Sequence, residues 1–124
     1  MKFMKKNSTI IISQFDYIII ENVKALRIAK KLSKQQLSEG IGVASSFVGK
    51  VENFSFRDKY SIRHLPLIAK ALNLVSVQEI IPSEIPEHDM IEITYEKVLK
   101  KNEKGTLSKQ FEDKVISIKA IDKK

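Results

Sequence analysis

The 124-residue sequence contains no cysteine. A disulfide framework and thiolate metal sites are therefore excluded, and the composition fits a reducing cytoplasm. No apolar stretch approaches the length of a membrane span. The run Ile10-Ile11-Ile12 follows lysines but is broken by Ser13, Gln14 and Asp16, and no small-residue cleavage site comes after it, so a signal peptide is not expected. Histidine is scarce: His64 and His88 lie far apart and have neither ligand nor triad spacing. No metal, no cofactor and no catalytic residue is expected, and the chain does not read as an enzyme. Gly40-Ile41-Gly42 lacks the flanking strand and the third glycine of a phosphate-binding loop. Stacking platforms for single-stranded nucleic acid are missing, and there are no internal repeats.

Hydrophobic residues make up 43% of the chain and charged residues 30%, enough for one packed core in a soluble protein. The net charge of +7 is unevenly spread. Residues 1–82 hold 13 Lys and Arg against 6 Asp and Glu, whereas residues 83–124 hold nine of each. The basic excess thus sits in the first two thirds of the chain, as expected of a nucleic-acid-binding module, although a lysine-rich proteome would give the same excess.

Local patterns predict a series of short helices. Asp16 can cap a helix running to about Lys31, with Ile19, Val23 and Leu26 on one face. Ser33 and Gln36 form a capping box for a helix over 34–40, with Leu37 and Ile41 one turn apart. Gly42 follows, where a chain leaving a helix needs positive φ. A third helix over 45–52 carries Val48 and Val51, and a fourth runs from about Ser61 to Leu72, with Pro66 in its first turn. Asn73 is a left-handed stop. Ser76 and Glu79 make a second capping box, Val75 and Ile80 a hydrophobic staple, and Pro82 ends a fifth short helix. Beyond a Pro82–Pro86 linker the period changes. Met90–Tyr95 and Val115–Ile121 alternate like strands, joined by a lysine-rich connection that is a candidate for partial helix near Leu107–Phe111. A lone hairpin is marginal in water, and Thr9–Ser13 is a candidate third strand.

Helix, glycine turn, short helix is the pattern of a helix-turn-helix. Leu32-Ser33, Leu37, Ile41-Gly42-Val43, Val48, Val51, Glu52 and Asn53 stand in the register of the Cro/C1-type (Xre-type) helix-turn-helix family, which this stretch resembles; the similarity covers Ile19 to Pro82. Lys34 stands where the family has Gln, Ser38 where it has Ala, Phe54 where it has Gly, and Gly49 interrupts the third helix. The resemblance implies a mainly α, five-helix, lambda-repressor-like DNA-binding domain over 16–82. An N-terminal arm (1–15) would precede it, and a small C-terminal β-hairpin extension (83–124) would follow as a dimerisation or partner element.

It also implies roles for single residues. The third helix would lie in the major groove of double-stranded DNA and present Ala44, Ser45, Ser46, Phe47 and Lys50 to base edges. Phe47 could equally be a core residue, and one of Ser45 and Ser46 could serve as a cap. Lys34, Asn53, Arg57, Lys59 and Tyr60 would contact phosphates, although the loop residues among them suit an ordinary solvated loop as well. Arg27 and Glu52 would form a structural ion pair. The function expected is a sequence-specific transcriptional regulator, a repressor, acting as a cytoplasmic homodimer. The alternatives are an antitoxin whose C-terminal strands bind a toxin, and an interaction domain of the same fold that has lost DNA binding.

Overall fold

A computed structural model describes residues 7–101 and 107–121. Among the described residues there are four α-helices and a three-stranded antiparallel sheet, in the order β1 (Ser8–Ser13), α1 (Gln14–Ala29), α2 (Lys34–Ile41), α3 (Phe47–Val51), α4 (His64–Ala71), β2 (Met90–Lys101) and β3 (Leu107–Ile121). This corrects the expectation of five helices with a small hairpin. The fifth helix is only a single 3-10 turn, Val77–Glu79. Its capping box forms, but the Val75–Ile80 staple does not: Val75 is 99% exposed while Ile80 is buried.

The sheet is larger than expected and belongs to the core. Its strand order is β1-β2-β3; Ile10 and Ile12 lie opposite Ile93 and Ile91, and Ile93 lies opposite Ile118. Ile12, Ile91, Ile93 and Tyr95 are buried in the same cluster as Ile19, Val23, Leu37, Val48 and Ile68. One apolar interior therefore serves the helices and the near half of the sheet. The tilted Phe54 ring lies 5.1 Å from Tyr95 and 6.3 Å from Tyr17, joining the loop after α3 to β2 and α1. Thr9–Ser13 does pair as the third strand. The segment offered as partial helix, Leu107–Phe111, is strand. Expectations for residues 1–6 and for the centre of the β2–β3 connection, 102–106, fall outside the described residues.

The helix ends follow the local chemistry, with shifts of a few residues. Ser13, not Asp16, is the N-cap of α1: its hydroxyl accepts from the Asp16 N–H at 2.9 Å and donates to the Asp16 carboxylate at 2.7 Å. Ser33 and Gln36 complete the reciprocal box on α2. Gly42 ends α2 at φ +87°, a conformation that would strain a residue with a Cβ. Pro66 is the third residue of α4, where its missing N–H has no helical acceptor to lose. Asn73 has a φ of +56° and stops the chain beyond α4.

Candidate nucleic-acid interface

The candidate reading helix, α3, has only five residues, and Ala44–Ser46 form the turn that leads into it. Neither Ser45 nor Ser46 supplies a side-chain cap. Ser46 occupies the N-cap position without a capping hydrogen bond. The cap comes instead from α2. Fully buried Ser38 donates to the Lys34 carbonyl at 2.9 Å and accepts from the Val48 N–H at 3.0 Å. Ala44, Ser45, Ser46 and Lys50 are therefore exposed and not needed to close the helix. Phe47 is half-buried: its ring packs 5.0 Å from His64 and 5.9 Å from Tyr60, which fits the packing alternative. The Lys50 ammonium lies 5.8 Å above the Phe56 ring.

Arg27 and Glu52 meet beneath α3. The guanidinium donates twice to the carboxylate, from Nε at 2.9 Å and from Nη2 at 2.8 Å. A third bond, from Nη1 to the Leu32 carbonyl at 2.9 Å, ties the same group to the turn before α2. Both side chains are almost wholly buried, so a planar bidentate pair here fixes α3 against α1 at a defined angle.

The residues expected at phosphates separate into three groups. Lys34 is exposed at the start of α2, and its stem runs beside Gly49 of α3. Asn53 is half-buried just past α3, on the same groove as Lys34 and Gly49. Arg57 and Lys59 line a different groove, against the β1 edge with Thr9, Ile11 and Glu92. The Lys59 ammonium folds back onto the Arg57 carbonyl at 3.2 Å. Tyr60 must be removed from the phosphate set. It is 7% exposed, and its hydroxyl is buried with no hydrogen-bond partner among the described residues. Burial, with Glu52 nearby, pushes the phenol well above its ordinary range, Arg27 opposing, so the ring acts as core.

Two further residues bear on this surface and belong to the sheet. Asp113 of β3 accepts the Phe54 N–H at 2.6 Å, and Lys97 of β2 pairs with the Asp113 carboxylate. Lys97 also donates to Asn53 Oδ1 at 2.7 Å, while the same oxygen accepts the Ser55 N–H at 2.9 Å. These contacts span 44 and 59 residues, and the charged strand segment holding Lys97 and Asp113 carries no sequence signal for them. Ser38 did carry one, as a departure from the resembled pattern.

Among the described residues, no group of three or more His, Cys, Asp and Glu could hold a metal ion, and no helix is long and apolar enough to cross a membrane. Residues 23–80 match the helix-turn-helix family model, which extends from α1 through the 3-10 turn. No curated protein and no solved structure matches the chain.

Proposed function

Since residues 23–80 form a Cro/C1-type helix-turn-helix, the domain of DNA-binding regulators, we propose that this chain is a sequence-specific transcriptional repressor that reads the major groove with α3. One observation carries the reading. The turn into α3 exposes Ala44, Ser45, Ser46 and Lys50 together, with hydroxyls freed from capping by Ser38. Lys50 can donate to guanine O6 and N7, and the serines accept or donate according to the base. Lys34 and Asn53 flank this surface and take phosphates. Among the described residues, the hydrogen bonds from the sheet to this region go to Asn53 and Phe54, beyond α3.

So short a helix reads few base pairs, so a homodimer on a two-fold site fits best, in a cytoplasm where the absence of cysteine is unremarkable. The edge strand β3, with Ile116 and Ile118 about half exposed, is the surface for the second copy. An antitoxin would use the same edge for a toxin.

Selection of bound sequences from a random duplex pool, followed by binding measured against salt, tests the proposal. An inverted repeat should emerge, and affinity should fall steeply with salt. Lys34→Ala should make the slope shallower by about one unit, whereas Lys50→Ala should relax sequence preference. A flat salt response would reject DNA binding and leave the interaction-domain reading.

A further inference from the structure

Past Tyr95 the β2–β3 ribbon leaves the apolar core, yet it turns a lysine onto the corner where α2 and α3 meet. Lys97 of that ribbon is 37% exposed at its side chain, held by Asp113 and by Asn53 Oδ1, with its ammonium 5.7 Å above the Tyr95 ring. An ammonium carries three N–H donors, and these contacts use two. Asn53 gains an orientation from the same contact. Its Oδ1 accepts both the Lys97 ammonium and the Ser55 N–H, which turns its amide NH2 the other way. Lys97, Lys34, Lys24 and Asn53 share one groove of about 170 Å³ beside Gly49, in which Asp113, Glu52 and Glu112 supply the negative charge. Asp113 is nearly buried against Phe54, and Glu52 is taken by Arg27.

We propose that Lys97 is a phosphate-contacting residue of the DNA interface, so that the β2–β3 ribbon is a second DNA-binding element beside α3. Lys97 gives its third donor to a backbone phosphate and at the same time aims the Asn53 amide at it. Asp113 pairs with the same ammonium, so its carboxylate offsets the charge that Lys97 offers the phosphate. The inference rests on the DNA-binding reading above and deepens it.

The test uses the full chain, a labelled random-sequence duplex and anisotropy titrations across a salt series. Lys97→Gln should make the salt slope shallower by about one unit, and Lys97→Arg should restore it. Asp113→Asn keeps an acceptor for the Phe54 N–H but removes a negative charge beside the phosphate, so it should tighten low-salt binding roughly two- to fivefold. A purely structural Lys97–Asp113 pair predicts the opposite: both substitutions weaken binding together and leave the slope unchanged, which overturns the proposal. Unchanged binding in a folded Lys97→Gln protein also overturns it. If that variant does not fold, the sign of the Asp113→Asn effect decides. A flat salt response of the unsubstituted chain would instead remove the DNA-binding reading itself.

Discussion

The two ends of α3 are held in different ways. At its N-terminal end the Val48 N–H is satisfied by Ser38, ten residues earlier and inside the helix-turn-helix. At its C-terminal end the chain is fixed by Asp113, 59 residues later and in another element. The first anchor is short-range and leaves the surface beside it open. The second brings a strand and its charges up to the surface. A five-residue helix has too few internal hydrogen bonds to define its own direction, so both anchors are needed. Between them the Arg27–Glu52 pair sets its tilt.

That contrast can be broken at several points, and the largest effect is expected at the middle anchor. Arg27→Ala leaves the Glu52 carboxylate buried without its counter-charge and the Leu32 carbonyl without its donor. A loss of about 3–5 kcal/mol in chemical denaturation is expected, with loss of DNA binding that reflects misfolding. A change below about 1 kcal/mol would mean that α3 is held mainly by apolar packing.

Comparing the two end anchors comes next. Asp113→Ala strands the Phe54 N–H and should cost about 2 kcal/mol, since the bond is to a charged acceptor. Ser38→Ala removes a neutral cap and should cost about 1 kcal/mol. Hydrogen exchange sharpens the difference: Ser38→Ala should speed exchange at Val48, and Asp113→Ala at Phe54. Equal acceleration at both sites in either variant would show α3 opening as one unit and would erase the distinction between its ends.

The smallest effect is a pH dependence at the N-terminal side. Burial holds the His64 imidazole below its ordinary value, with Arg63 adding to the effect. Its Nδ1 accepts the Ser61 N–H at 3.0 Å, a bond that protonation at Nδ1 would abolish. With the folded value lowered, the unfolded chain takes up the proton first. Stability is therefore unaffected above about pH 7 and falls as pH drops through the unfolded value near 6.5, levelling off below the folded value. Thermal melts from pH 7.5 to 5 should show this decline, and His64→Gln should reduce it.

The helix-turn-helix was legible because its signals are local. Ser33 with Gln36, Gly42, Pro66 and Asn73 each act within one turn of themselves, and the apolar spacing of Leu37, Ile41, Val48 and Val51 names the buried face. Pairing of Thr9–Ser13 was open to the same kind of reasoning, since β-branched residues flanked by polar ones suit a strand. The far sheet was not. From Glu96 to Lys101 and from Ser108 to Lys114 the sequence is rich in charge, and no described side chain of these segments belongs to the buried apolar cluster. Without a hydrophobic period, the pattern of a strand resembles that of a solvated loop. Tyr60 failed for a related reason: a tyrosine in a polar loop looks like a surface donor until Phe47 and the Arg27–Glu52 pair close around it.

By itself the sequence determined that short helices follow one another on either side of the Gly42 turn, most of the apolar residues that line them, and that the excess of Lys and Arg falls within residues 1–82. Those are matters of spacing along a few residues. Only the tertiary structure decided that the sheet shares that core, that Ser38 caps α3, and that Lys97 and Asp113 stand at its far end. Each of these depends on groups brought together across loops by burial of the common interior, and no local pattern encodes that distance.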